Sequence, residues 1–265
     1  MAELNFTKMQ GLGNDFVLID ARKEDLEGID LKQLAIDVCA LHLGVGADGL
    51  LIVRPSEKAH YRMQIFNPDG SEPEMCGNGI RCFAKYVYET DKLKEEVLSV
   101  ETKAGVLLPA VIKGPEGRVI GVEVDMGVPG DEGEVKLEGH TFKKINMGNP
   151  HAVALVDDLT TIDLYSIGPK IEKDRHFPDR TNVEFVKVLN DRELEVMVWE
   201  RGAGETLACG TGACASVVAA SLAGKIKKRA VVHLPGGNLD IEWGEDKRVL
   251  MRGPAKTVFE GKYYR

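Results

Sequence analysis

Apolar and polar positions alternate and then shift to a helical spacing, and the chain does this twice. Tyr61, Met63 and Ile65 alternate with polar residues, as do Leu194, Val196 and Val198, which predicts a half-buried strand in each place. A glycine-bearing loop follows each strand. Behind the first loop, Ile80, Phe83, Ala84 and Val87 fall at i, i+3, i+4 and i+7, the mark of a helix with one apolar face. Behind the second, Ala213, Ala215, Val217, Val218, Ala219, Ala220 and Leu222 leave no polar face. That predicts a buried helix, ending at Gly224. Asn78 and Thr211 are well placed as N-caps of the two helices.

The two stretches are copies. Phe66-Asn-Pro-Asp-Gly-Ser-Glu-Pro-Glu-Met-Cys76-Gly-Asn-Gly lies without a gap on Trp199-Glu-Arg-Gly-Ala-Gly-Glu-Thr-Leu-Ala-Cys209-Gly-Thr-Gly. Gly13-Asn14-Asp15-Phe16 finds a counterpart in Gly148-Asn149-Pro150-His151, and each opens an apolar strand. Asp30-Leu31 and Asp163-Leu164 each open a helical pattern. Asp48-Gly49-Leu-Leu-Ile-Val matches Asn182-Val183-Glu-Phe-Val-Lys-Val. Four matches in one order at nearly one offset predict two homologous domains, each running strand, helix, strands, loop, cysteine-led helix, strands. The class is α+β. The turn-rich break at Lys113-Gly-Pro-Glu-Gly117 divides residues 1–114 from 115–254. A strand-like, aromatic tail over 255–265 is expected to return to the first domain. Gly105–Leu108, Val119–Val124 and Leu239–Trp243 also read as strands.

Composition narrows the classes. At 265 residues and 43% hydrophobic, the chain can bury a large core. The net charge of -8, with no basic run beyond a solvated helix end at Lys225–Arg229, argues against a nucleic-acid partner. No apolar run approaches the ~20 residues of a membrane helix, and the first residues do not form a secretory signal. A soluble, cytoplasmic protein is expected. Five cysteines are too few and too odd in number for a disulfide framework, so reduced thiols fit.

Cys39, Cys82 and Cys214 sit inside helical patterns and read as small core residues. Cys76 and Cys209 differ, because the repeat places each at a helix start. Backbone N–H groups there stabilise a thiolate and also hold a carboxylate. Two such halves facing each other would aim both thiols at one carbon. One sulfur would take a proton and the other would return one, inverting a stereocentre without a cofactor. Cys76/Cys82 and Cys209/Cys214 lack the two-residue spacing of zinc knuckles, so no metal is expected. The glycine-rich loops lack the Gly-Lys-Ser/Thr of a phosphate loop.

Gly11-Leu-Gly-Asn14-Asp-Phe16, Met75-Cys-Gly-Asn-Gly79-Ile-Arg-Cys82, Gly148-Asn-Pro-His151, Arg180-Thr-Asn-Val-Glu-Phe185 and Glu200-Arg-Gly-Ala-Gly-Glu-Thr206 through Cys209-Gly-Thr-Gly212 resemble the diaminopimelate epimerases from end to end and in order. The resemblance implies two pseudo-symmetric domains, each a curled, mostly antiparallel, barrel-like sheet around a central helix. It implies pyridoxal-independent conversion of LL-diaminopimelate to the meso isomer, for lysine and peptidoglycan synthesis, by a homodimer. Cys76 and Cys209 would be the acid/base thiols. Gly77-Asn78 and Gly210-Thr211 would hold the reacting carboxylate. Asn67, Asn149, Asn182 and Arg201 would grip the distal amino-acid end. His151 and Glu200 would flank the reacting amine and the thiols, and Asn14 would line the site. One departure stands out: many members carry glutamine where Gly49 stands.

Two other readings share the two thiols. A proline or hydroxyproline racemase would typically carry His, not Asn, after the first Cys-Gly, and need not grip a second amino-acid end. A redox sensor of the same fold would close a Cys76–Cys209 disulfide and turn nothing over. A phenazine-biosynthesis-type isomerase lacks the thiol pair.

Overall fold

The computed structural model describes residues 3–265. By packing, the chain forms two compact units. The first holds the chain up to Val124 together with Gly253–Arg265, and the second is Asp125–Arg252.

The first unit contains β1 (Glu3–Gly11), β2 (Asn14–Asp20), α1 (Leu31–Cys39), β3 (Gly49–Arg54), β4 (Tyr61–Phe66), α2 (Gly77–Thr90), β5 (Val100–Thr102), β6 (Gly105–Leu107), β7 (Ala110–Lys113) and β8 (Val119–Asp125). The second contains β9 (Gly130–Leu137), β10 (His140–Asn146), β11 (Pro150–Val156), α3 (Leu164–Glu172), β12 (Asn182–Asn190), β13 (Glu193–Glu200), β14 (Gly204–Glu205), α4 (Gly210–Leu222), β15 (Arg229–Leu234), β16 (Gly237–Trp243) and β17 (Val249–Gly253). The last strand, β18 (Lys256–Tyr264), lies antiparallel on β1, with Glu3 opposite Tyr264 and Thr7 opposite Glu260. The sheet of the first unit runs β18-β1-β2-β3-β4-β5-β6, while β7 and β8 form a hairpin. That of the second runs β17-β16-β15-β13-β12-β11-β10-β9, with β14 beside β13. Among the described residues no pairing joins the two ends of the first sheet, so it is open rather than a closed barrel.

Where helices cover both faces of a sheet the strands are buried without a break, as over 16–20 in β2 and 49–53 in β3. Val17, Ile19, Leu50 and Ile52 pack under α1 with Leu34, Ala35 and Val38. Because side chains alternate along a strand, Phe16, Leu18, Leu51 and Val53 face the other way, under α2. In the second unit, Ala152, Ala154, Val183 and Phe185 join the α3 side with Leu164 and Ile171. His151, Val153, Glu184 and Val186 therefore face α4. Burying each large apolar side chain contributes roughly 1.5–3 kcal/mol, which makes these two double-sided cores the main stabilising term.

The helix starts follow local chemistry. Asp30 caps α1 by accepting from the N–H groups of Lys32 and Gln33, and Asp163 caps α3 by accepting from Ser166. The sequence expected Asn78 and Thr211 to cap α2 and α4, but the caps are the cysteines themselves. Cys76 (φ -138°, ψ 119°) and Cys209 (φ -110°, ψ 111°) hold the extended N-cap conformation, and their sulfurs accept from Gly79 and Gly212. Asn78 and Thr211 lie inside the first turn and turn their side chains to other partners. α4 is buried nearly all round and ends at Gly224 (φ +67°), as its composition predicted.

The strand registers also correct the internal match by one residue. Phe16 pairs with Gly49 and Leu50 with Phe66 in the first unit; His151 pairs with Asn182 and Val183 with Trp199 in the second. The counterpart of Asn182 is therefore Gly49, not Asp48, and the counterpart of Glu184 is Leu51. Gly49 is tightly enclosed: a Cβ there would lie 3.1 Å from the Phe66 carbonyl oxygen and 3.3 Å from the Phe16 ring.

Candidate active site

In the first unit the β4 strand ends in a turn that leads to α2. Asn67 holds this turn, its N–H donating to the Ser71 carbonyl at 2.8 Å and its side-chain amide to Ser71 Oγ at 2.9 Å. Cys76 then enters the helix half-buried. Its Sγ accepts the Gly79 N–H at 3.4 Å, while Cys76 O accepts from Ile80 at 2.9 Å. The N–H groups of Gly77 and Asn78 come ahead of the helical ladder, where they add the positive end of the helix dipole to the thiol's surroundings. Asn14 Oδ1 faces both residues, 3.9 Å from Cys76 Sγ and 3.1 Å from Asn78 Nδ2. Asn14 is held in turn by Asp48, whose Oδ2 accepts from Asn14 Nδ2 at 2.9 Å and from the Asp15 N–H at 2.8 Å. Lys8 closes the row on Asp15 at 3.1 Å. Beneath α2 the fully buried Arg81 donates to the carbonyls of Pro254 and Gly77, which ties the helix start to the returning strand.

In the second unit the same frame carries more charge. Cys209 is 6% exposed; its Sγ accepts from Gly212 at 3.3 Å and lies 3.5 Å from Thr211 Oγ1. Burial is the largest influence on this thiol, and it pushes the thiol's pKa up. The Glu200 and Glu184 carboxylates push the same way, against the Thr211 hydroxyl and the Gly212 N–H. Asn149 Nδ2 donates to Thr211 Oγ1 at 3.3 Å, and Asn149 Oδ1 lies 3.1 Å from His151 Nε2. His151, fully buried, places its Nδ1 2.6 Å from Glu184 Oε1.

Two further residues are set by the β12–β13 ladder. Asn182 is buried; its amide donates to the Pro150 carbonyl at 3.0 Å, and its oxygen accepts the Arg201 N–H at 2.9 Å. The Arg201 side chain is exposed and donates to the Asp179 carbonyl at 3.0 Å. The turn that carries it is fixed by Glu172, which accepts from the Gly202 N–H at 3.1 Å and from Trp199 Nε1 at 2.9 Å. Glu200, half-buried at the end of β13, accepts from the Thr206 hydroxyl. Cys39 and Cys82 are pushed up to about 12, chiefly by burial, which fits packing rather than chemistry.

The structure thus gathers Asn14, Cys76, Gly77 and Asn78 at one helix start. It gathers Asn149, His151, Cys209, Gly210 and Thr211 at the other, and joins Asn182 to Arg201. Asn67 contacts none of these through the hydrogen bonds described. Sequence reading passed over Glu184, Glu172 and Asp48. For Glu184 a signal existed: it is the one acid in a stretch whose repeat partner is wholly apolar.

Comparison with known proteins identifies the group. The family model for diaminopimelate epimerase matches residues 6–130 and 144–258. The chain belongs to the diaminopimelate epimerase family. Its relatives include diaminopimelate epimerases of Moorella thermoacetica, 52% identical over 98% of this chain and 99% of that protein, and of Geobacillus kaustophilus, 46% identical over 100% and 98%. Solved structures share the fold at low identity. A phenazine biosynthesis protein of the PhzF family from Bacillus anthracis superposes with a TM-score of 0.77 at 18% identity, covering 100% of both chains. A hydroxyproline epimerase from Agrobacterium vitis, with trans-4-hydroxy-L-proline bound, gives 0.71 at 14% identity, over 98% of this chain and 92% of that one. The α+β class with two sheets is that of this epimerase-like group. No helix among the described residues is long and apolar enough to cross a membrane.

Proposed function

We propose that the protein is an isomerase that converts LL-2,6-diaminopimelate to the meso isomer, in the cytoplasm and for lysine and peptidoglycan precursors. The observation that carries this reading is that each unit sets a cysteine as the sulfur cap of its central helix, at 3.4 Å from Gly79 N in one and 3.3 Å from Gly212 N in the other.

The chemistry balances without a cofactor. A thiolate on one of Cys76 and Cys209 removes the α-proton from one face. The thiol of the other donates a proton to the opposite face, so one proton leaves carbon and another arrives while the two sulfurs exchange states. The reacting carboxylate spreads the carbanion's charge, and the helix-start amides of Gly77-Asn78 and Gly210-Thr211 take up that charge. Asn67, Asn149, Asn182 and Arg201 bind the distal amino-acid end, with Arg201 as the bidentate partner of its carboxylate. Asn14 lines the site beside Cys76. Glu200 and His151 flank the amine and the thiols. Asn182 supports this assignment of Arg201 by fixing its backbone.

α-Proton exchange in D2O, followed by NMR with LL-diaminopimelate and with L-proline, tests the reading. Exchange and inversion on the diamino acid, lost in Cys76→Ala and in Cys209→Ala, is the expected result. Exchange on proline alone, or full turnover by either variant, would overturn it. The chain acts as a homodimer in this reading; light scattering of the eluting protein at one-subunit mass would refute that part.

A further inference from the structure

One place in the repeated frame is apolar in one half and charged in the other. In the first unit Phe16 and Leu51 pack beneath the first turn of α2, and a Cβ on Gly79 would meet Leu51 Cδ2 at 3.4 Å. In the second unit their counterparts are His151 and Glu184, both fully buried. A Cβ on Gly212 would lie 2.6 Å from Glu184 Oε1, so this carboxylate lies directly against the start of α4. Phe16 and Leu51 show that the frame closes with hydrocarbon alone at this place. A buried carboxylate costs several kcal/mol unless it is paired and hydrogen-bonded, and Glu184 Oε2 has no hydrogen-bond partner among the described residues. The fold does not require the acid.

Its contacts show what it does. Glu184 Oε1 lies 2.6 Å from His151 Nδ1, and His151 Nε2 lies 3.1 Å from Asn149 Oδ1. Asn149 Nδ2 reaches Thr211 Oγ1 at 3.3 Å, and that hydroxyl lies 3.5 Å from Cys209 Sγ. Each ring nitrogen faces an oxygen, and a carboxylate at Glu184 accepts from Nδ1–H. Turning the Asn149 amide over makes Nε2 an acceptor with the heavy atoms unmoved. In both cases the Nδ1 proton points at Glu184.

We infer that Glu184 is a positioning residue that holds His151 with Nδ1–H inward and Nε2 toward Asn149, and so fixes the hydrogen-bonded row that ends at Cys209. Its kinetic consequence rests on the epimerase reading; its hold on the imidazole does not.

The test uses the full chain, ¹⁵N-labelled at histidine, as wild type, Glu184→Gln and Glu184→Leu. Glutamine keeps the shape, and leucine copies the first unit. Imidazole ¹⁵N–¹H spectra are expected to show a downfield His151 Nδ1–H signal in wild type that is moved or lost in both variants. The kcat for LL-diaminopimelate should fall about ten- to a hundredfold, as for other partners that orient a functional histidine, with KM within about twofold. Folded Glu184→Gln protein with wild-type His151 signals, or with wild-type kcat, would overturn the inference. If the leucine variant does not fold, the glutamine variant decides alone. If wild type itself turns over no diaminopimelate, the epimerase reading fails, and the spectra still decide whether Glu184 holds the ring.

Discussion

Cys209 Sγ accepts the backbone N–H of Gly212 at 3.3 Å, so the sulfur proposed to do chemistry is also the cap of its helix. Cys76 stands in the same relation to Gly79 at 3.4 Å. This double duty separates stability from turnover. A serine hydroxyl is a better N-cap than a thiol but a far weaker acid. Cys76→Ser and Cys209→Ser are expected to keep or raise the Tm, by up to about 1 kcal/mol in stability. Their α-proton exchange should fall by at least ~10²-fold. Thermal melts paired with exchange rates check this; a large drop in Tm would show that the thiol is needed for packing.

Charge around Cys209 predicts its reactivity. Burial and the carboxylates of Glu200 and Glu184 raise this thiol above its ordinary range. At a given pH a smaller share of Cys209 is therefore ionised than of an ordinary thiol, whose pKa lies near ~8.5. Iodoacetamide should label Cys209 slowly in the ligand-free protein, and the pH midpoint of labelling should fall in Glu200→Gln. An unmoved midpoint would mean that Glu200 does not bear on the thiol.

Two glycines at equivalent places should respond differently to alanine. A Cβ at Gly212 would lie 2.6 Å from Glu184 Oε1 and 3.2 Å from Cys209 Sγ, whereas one at Gly79 finds nothing nearer than 3.4 Å. Gly212→Ala should cost about 1–3 kcal/mol and impair turnover. Gly79→Ala should be neutral or gain up to about 1 kcal/mol, since alanine loses less freedom on entering a helix. Urea unfolding of the two variants measures both; equal losses would contradict the asymmetry.

Arg201 should govern binding rather than stability. Its side chain is exposed, and its backbone is held by Asn182 Oδ1 at 2.9 Å. Arg201→Lys loses the bidentate fork and is expected to raise KM about tenfold or more, with stability within ~0.5 kcal/mol of wild type. Asn182→Ala removes both the Pro150 and the Arg201 contacts of a buried amide. It should raise KM and also cost about 1–3 kcal/mol. Steady-state kinetics with melts distinguish the two; unchanged KM in Arg201→Lys would remove it from the binding site.

The sequence by itself determined the class, the repeat and the two thiols at helix starts. Those features are written in local periods. Tyr61, Met63 and Ile65 alternate as a strand must, Ile80 to Val87 follow one helical face, and the all-apolar run from Ala213 to Leu222 has nowhere to go but inside. It misplaced the caps, because an N-cap is chosen by backbone angle and by which atom reaches the third N–H, and a cysteine sulfur is an uncommon acceptor. It also slipped one residue in matching Asp48 to Asn182, since two apolar runs align nearly as well in either register. Only tertiary structure decided the rest. Glu184 stands out in the sequence only as an acid whose repeat counterpart is apolar, and its partners are set once β11 lays His151 beside it and α4 closes over it. Asp48 and Glu172 read as turn and surface residues until strands and helices distant in sequence bring Asn14 and Trp199 against them. Such pairs have no period, because their partners are set by packing across the fold rather than by spacing along the chain.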